Sequence, residues 1–134
     1  MITHDATATQ TFGRKWAQTL KAGSIIALHG DLGTGKTTLV KGIISELTGT
    51  PMDEIQSPTF PLLHIYEGTC PIYHFDLYRI KSADEFIAKG FIDYLDSDGI
   101  CLFEWPDRIE SILPSHTLNI TLSHVEEGVR RIDV

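Results

Sequence analysis

The stretch Gly30-Asp31-Leu32-Gly33-Thr34-Gly35-Lys36-Thr37, with Thr38 directly behind it, limits what this chain can fold into more than any other. Its glycines let the backbone turn sharply and present N–H groups without a Cβ in the way. An apolar run, Ser24-Ile25-Ile26-Ala27-Leu28-His29, enters the turn and reads as a short buried strand. Behind it, Leu39, Val40, Ile43, Ile44 and Leu47 fall on one face of a helix over 38–47, and Gly49 is placed to end that helix. A helix that begins at the lysine aims unpaired N–H groups and the positive end of its dipole at the same point. The order glycine, four residues, Gly-Lys-Thr is the spacing of a loop that cradles phosphates. Lys36 supplies a mobile positive charge for β- and γ-phosphates, and the Thr37 hydroxyl is a hard oxygen ligand suited to Mg²⁺.

Strand, glycine turn and helix in succession set the class as α/β. A length of 134 residues allows one domain with a substantial core, so residues 1–134 are expected to form a single unit. With 18 acidic against 11 basic residues the formal charge is −7, and no basic run occurs. That balance argues against autonomous nucleic-acid binding, which relies on clustered Lys and Arg. The pair Arg130-Arg131 reads as a solvated strand end. The start lacks the layout of a signal peptide, and no apolar run reaches membrane length, so a cytoplasmic location is expected. Cys70 and Cys101 are too few and too far apart for a disulfide framework, and Cys101 reads as a small core residue.

Along the rest of the chain, residues 7–22 are expected to form a first helix. Phe12, Trp16 and Leu20 make its buried stripe and Gly23 its stop. Ser57-Pro58-Thr59-Phe60-Pro61 is held extended by its prolines. Thr59 then has two readings, a plain turn residue or a hydroxyl offered to Mg²⁺ and the γ-phosphate, as in phosphate-loop switches. Runs 60–67 and 71–75, joined by Gly68-Thr69-Cys70, predict an antiparallel hairpin. His64 and His74 can face each other across it, but no third metal ligand stands at a sensible spacing. Asp76 emerges at that hairpin's end, where a carboxylate can hold Mg²⁺ or its water shell.

Ser82 and Glu85 form a capping box for a helix ending at Gly90, followed by an apolar-faced turn at 91–95. Asp93, Asp96 and Asp98 lack the glycine and distal glutamate of a calcium loop and read as solvated charges. Ile100-Cys101-Leu102-Phe103 is apolar without alternation, as in a parallel strand covered on both faces, and it ends in Glu104. Sites in open α/β sheets lie beyond the C-terminal ends of strands. If this strand neighbours 24–29, Glu104 arrives beside Thr37, where a glutamate can orient the attacking water or hold the metal. Trp105 either packs beside a nucleotide or caps the core. Residues 116–134 alternate and turn at Glu126-Glu127-Gly128, a closing β-hairpin that carries no chemistry of its own.

The phosphate loop, Ser57-Pro58-Thr59-Phe60, His74-Phe75-Asp76-Leu77-Tyr78-Arg79 and Glu104-Trp105-Pro106 occur in an order that resembles the TsaE (YjeE-type) family. These are the bacterial ATPases of tRNA threonylcarbamoyladenosine biosynthesis, and the resemblance spans nearly the whole chain. It implies a three-layer P-loop NTPase fold, with a mostly parallel central sheet, an antiparallel hairpin and a C-terminal β-hairpin. It also implies ATP and Mg²⁺ as cofactors, slow hydrolysis, and docking on the TsaD–TsaB transferase complex, with tRNA reached only through that complex. Carried onto this chain, Lys36, Asp76 and Glu104 serve catalysis, and Thr37, Asp76 and Glu104 serve the metal. Residues 31–38 (Asp31, Leu32, Gly33, Thr34, Gly35, Lys36, Thr37, Thr38), Thr59 and Trp105 serve the nucleotide. Which of Asp76 and Glu104 lies closer to the metal stays open. Two other classes share the loop. A small-molecule kinase needs an acceptor pocket and an Arg-bearing lid, for which the residues after Glu104 offer little room. A nucleotide-held interaction module differs from the ATPase by rate alone. A GTPase is disfavoured because no Asn-Lys-x-Asp stretch occurs.

Overall fold

The computed structural model describes residues 1–134. In chain order the elements are β1 (Ile2–Thr3), α1 (Ala6–Ala17), β2 (Ile25–His29), α2 (Lys36–Thr48), β3 (Leu63–Glu67) and β4 (Pro71–Asp76). They continue with α3 (Ala83–Ala88), β5 (Ile100–Glu104), β6 (Leu118–Glu126) and β7 (Val129–Asp133), and 3-10 segments cover 52–54, 91–96 and 106–112.

The strands form one sheet in the order β1-β7-β6-β2-β5-β4-β3. Its centre, β6-β2-β5-β4, is parallel, and both margins are antiparallel. β5 is buried at every residue, as its unbroken apolar run requires. Its side chains alternate between two cores. Ile100 and Leu102 face α1 and α2 with Ile26, Leu28, Ile72 and Ile120, while Cys101 and Phe103 face α3 and the 3-10 segments with Ile25, Phe75 and Phe86. Each buried Leu, Ile or Phe contributes roughly 1.5–3 kcal/mol, so two apolar faces hold the sheet centre more firmly than any single pairing. The fold is the three-layer P-loop NTPase arrangement, with an antiparallel hairpin at one margin and a C-terminal β-hairpin at the other.

Two element boundaries depart by several residues from the sequence expectation, and one short strand is unforeseen. Helix α1 stops at Ala17, not residue 22, because the backbone tightens into i→i+3 bonds at Gln18, Thr19 and Leu20. There the Thr19 hydroxyl takes the Trp16 carbonyl and competes with the helix. Trp16 and Leu20 still pack on the core. Its start is fixed by Asp5, whose side chain accepts the Ala8 N–H at 2.7 Å. Strand β3 begins at Leu63, not Phe60, since residues 59–62 turn and Leu62 holds a φ of 69°. The two-residue β1 has no pattern of its own and forms by pairing with β7.

Helices α1 and α2 cross at two glycines. A Cβ at Gly13 would lie 2.6 Å from the Leu39 carbonyl oxygen, and one at Gly42 would overlap the Gln10 carbonyl. On the other face Cys101 is fully buried and its S–H donates to the Tyr94 carbonyl at 3.3 Å. Burial pushes that thiol up to about 12, far from the thiolate form at neutral pH. Alkylation at pH 8 followed by peptide mapping is therefore expected to spare Cys101 in the folded protein and to label it only in denaturant. Labelling of Cys101 under native conditions would contradict this burial. No helix is long and apolar enough to cross a membrane.

Candidate phosphate-loop site

Strand β2 delivers the glycine loop at the C-terminal edge of the parallel strands. The loop closes on itself where Thr34 donates both its N–H and its hydroxyl to the Asp31 carbonyl, at 3.3 and 2.8 Å. Gly30 must be glycine, because a Cβ there would meet the Leu122 carbonyl oxygen at 2.6 Å. Gly35 caps α2 in the left-handed region, φ 98°, and so turns the first helical N–H groups toward the loop.

Lys36 is 5% exposed. Its ammonium donates to the Gly30 carbonyl and stands 3.4 Å from the centroid of the Trp105 ring. Burial lowers its pKa below the usual lysine value, and the negative charges of Glu104 and Asp76 oppose that shift without cancelling it.

The strand register brings the acids to this point. Leu28 of β2 lies opposite Glu104 of β5, and Glu104 lies opposite Asp76 of β4, so three strand ends line up beside the loop. Both carboxylates are nearly buried, 3% exposed for Glu104 and 7% for Asp76. Burying a carboxylate without partners costs several kcal/mol, and each is held at both oxygens. The Thr37 hydroxyl donates to Glu104 Oε1 at 3.1 Å, and His74 Nε2 meets Oε2 at 2.6 Å. The Ser57 hydroxyl donates to Asp76 Oδ2 at 2.8 Å, and the Tyr78 N–H to Oδ1 at 3.0 Å. His64, directly across from His74, takes the Gln56 carbonyl instead.

These groups border a cleft of about 390 Å³. Of the residues singled out in the sequence, Leu32, Gly33, Gly35, Lys36, Thr37, Thr38, Thr59, Asp76, Glu104 and Trp105 line it. Asp31 and Thr34 do not: Thr34 is buried within the loop's own turn, and Asp31 faces away beside Pro106 and Asp107. Trp105, at φ 60°, and Leu62 are the only non-glycine residues with positive φ; Trp105 lines the cleft, and the Leu62 carbonyl accepts the Asp76 N–H at 3.0 Å.

Two lining residues escaped the sequence reading. Ser57 stood in the extended segment, yet that segment is tied to Asp76 through Ser57 and not through Thr59. Arg130, read as a solvated strand end together with Arg131, instead reaches back from β7 and donates Nη2 to the Gly33 carbonyl at 3.1 Å. Arg131 does point outward, 61% exposed. Nothing local separates the two arginines; only the pairing of β7 with β6, and of β6 with β2, turns one of them onto the loop. Past Arg130 lies a second cavity of about 290 Å³, bounded by His4, Asp5, Thr9 and Gly128, which shares Gly35, Thr38 and Arg130 with the first.

The donor set suits Mg²⁺. Thr37, Glu104 and Asp76 are hard oxygen ligands, and no group of three His, Cys, Asp or Glu residues forms an all-protein metal cage. Mg²⁺ characteristically takes one or two protein oxygens and fills its octahedron with water and phosphate.

A glycine loop at the carboxyl edge of a parallel sheet, running into a helix and facing an acid on the adjoining strand, defines a P-loop nucleoside-triphosphatase class of protein. The family model described as "Threonylcarbamoyl adenosine biosynthesis protein TsaE" matches residues 3–132, and the chain belongs to that family. Among its relatives is the tRNA threonylcarbamoyladenosine biosynthesis protein TsaE of Treponema pallidum, 37% identical over 133 residues, covering 99% of this chain and 97% of the relative. The protein of the same name from Nostoc sp. is 39% identical, covering 97% and 81%. The crystal structure of Bacillus subtilis YdiB superposes with a TM-score of 0.77 at 32% identity, over 98% of this chain and 80% of that one.

Proposed function

We propose that this protein binds ATP with Mg²⁺ in the cleft and hydrolyses it slowly, in support of tRNA threonylcarbamoyladenosine formation by the TsaD–TsaB transferase. The observation that carries the reading is the hydrogen bond from Thr37 to Glu104 beside Lys36. A loop lysine, a metal-binding hydroxyl and a strand-end carboxylate then meet at one edge of one cleft. Mg²⁺, when bound, would neutralise charge developing on the phosphates.

The chain's own groups divide the remaining work. Loop amides from Gly33 to Thr38 hold the phosphates, and Lys36 follows the γ-phosphate as its charge grows. Thr37, whose hydroxyl donates to Glu104, would offer its oxygen to Mg²⁺, and Glu104 together with Asp76, tied to Ser57, would hold the ion or its water shell. Thr59 and Trp105 border the γ end, where Glu104 and Asp76 are the available acceptors for the attacking water's proton. Ribose and base would find room in the second cavity past Arg130, which shares Gly35 and Thr38 with the cleft. Asp5 uses one oxygen to cap α1, which leaves the other free for a ribose hydroxyl or the adenine amine.

Slow turnover follows from a cleft with only two cationic side chains, Lys36 and Arg130, and no helical lid above it. Dependence on partners is supported by family membership, by Leu32, 68% exposed on the cleft, and by Phe60, 79% exposed beside Thr59. The test is phosphate release from Mg-ATP by the purified protein, alone and with the transferase subunits. A low basal rate that changes on adding them is expected. Failure to take up any adenine nucleotide overturns the reading, and robust phosphoryl transfer to a small molecule would make the protein a kinase instead.

A further inference from the structure

His74 is fully buried on the face of β4 that looks toward α2, one alternate position before Asp76 and opposite Leu102 of β5. Its neighbours on that face, Ile72, Ile100 and Leu102, are apolar, and an apolar ring would fill the space as well. The imidazole carries a cost as well, since Nδ1 is buried without a partner. Its single polar contact is the 2.6 Å bond from Nε2 to Glu104 Oε2, and a carboxylate only accepts, so Nε2 carries the hydrogen.

A glutamate side chain loses rotamer entropy on being fixed, and here Thr37 and His74 fix it through one oxygen each. With Oε2 pinned by His74, Oε1 is the oxygen that faces Thr37. We infer that His74 is a positioning residue: it locks the Glu104 carboxylate so that Thr37 presents its oxygen to the magnesium–nucleotide complex. The inference rests on the function proposed above and adds a residue that acts through another, touching neither nucleotide nor metal. Partners one step behind a metal's ligands typically change affinity or activity by roughly 10–100-fold when removed.

The test compares ADP affinity with and without Mg²⁺, by calorimetry, in the wild type, His74→Phe, His74→Gln, Glu104→Gln and the double variant His74→Phe/Glu104→Gln. His74→Phe should lose roughly 10-fold or more of the affinity gained from Mg²⁺, while its Mg²⁺-free affinity stays within about twofold of the wild type. In His74→Gln the amide nitrogen reaches the position of Nε2 and should restore most of the gain. In the Glu104→Gln background, His74→Phe should cost nothing further, because the two residues act as a unit. If His74→Phe does not fold, His74→Asn, whose amide is too short to reach Oε2, replaces it with the same expectation. An unchanged Mg²⁺ gain in the donor-less variant overturns the inference, as does an equal loss in both backgrounds. A wild type that binds ADP with no help from Mg²⁺ also removes it, whereas a wild type that does not bind ADP removes the proposed function itself.

Discussion

Replacing Lys36 by alanine is expected to cut ATP turnover by roughly 10²–10³-fold, to the background of the assay, and to leave the fold standing. The loss follows from removing the one cation seated inside the loop, where little water screens it and where the proposed function places the phosphates. The intact fold follows from the direction of the lysine's pKa. Burial holds it below the ordinary 10.5 despite Glu104 and Asp76, so the folded state binds this proton less tightly than the unfolded chain does. Between the folded and unfolded values the unfolded chain carries more protons, and stability rises with pH across that window. Below it, the charged lysine weakens the fold by its full amount. Thermal melts of the wild type should therefore gain stability as pH climbs toward 10.5, and Lys36→Ala should lack that gain. A variant that still hydrolyses ATP would take the lysine out of the mechanism, and one that melts far below the wild type would make its role structural.

Gly42→Val should be the most damaging change away from the cleft. Even the first carbon of a side chain at this position would overlap the Gln10 carbonyl of α1, and neither backbone can give way as a flexible side chain would. Overpacking of this kind costs about 1–3 kcal/mol and occasionally more, which for a chain of this size lowers Tm by roughly 4–12 °C. Helix α2 begins at Lys36, so a shift that relieves the clash also moves the loop. Weakened ADP binding should accompany the lower Tm, measured by calorimetry on the same sample. A valine variant with wild-type melting would mean that the two helices do not touch where Gly13 and Gly42 cross.

The centre of the sheet and the loop were legible because each residue there answers to one strong local demand. Residues 25–28 and 100–103 are apolar without interruption, and only a strand covered on both sides uses such a run. The acids at 76 and 104 follow from that reading, since a strand that ends in a carboxylate at the sheet's carboxyl edge has few other places to put it. What stayed hidden depends on pairing across long separations. The contact between Arg130 and Gly33 spans 97 positions, and no spacing rule connects them. Two-residue β1 owes its conformation to β7, and the glycines at 13 and 42 show their purpose only once two helices are laid together. His64 and His74 face each other across a hairpin, which in sequence makes them a pair; the partner of His74 stands one strand over, on β5.

The order of the strands has a temporal side. Gly30 is backed by the main chain of Leu122, and Gly33 is held by Arg130, 97 positions further along, so the glycine turn is braced by residues far downstream of it. A polypeptide still emerging from the ribosome carries the glycine turn long before its brace exists. A nascent fragment stopping before β6 would hold the glycine turn without either of these contacts.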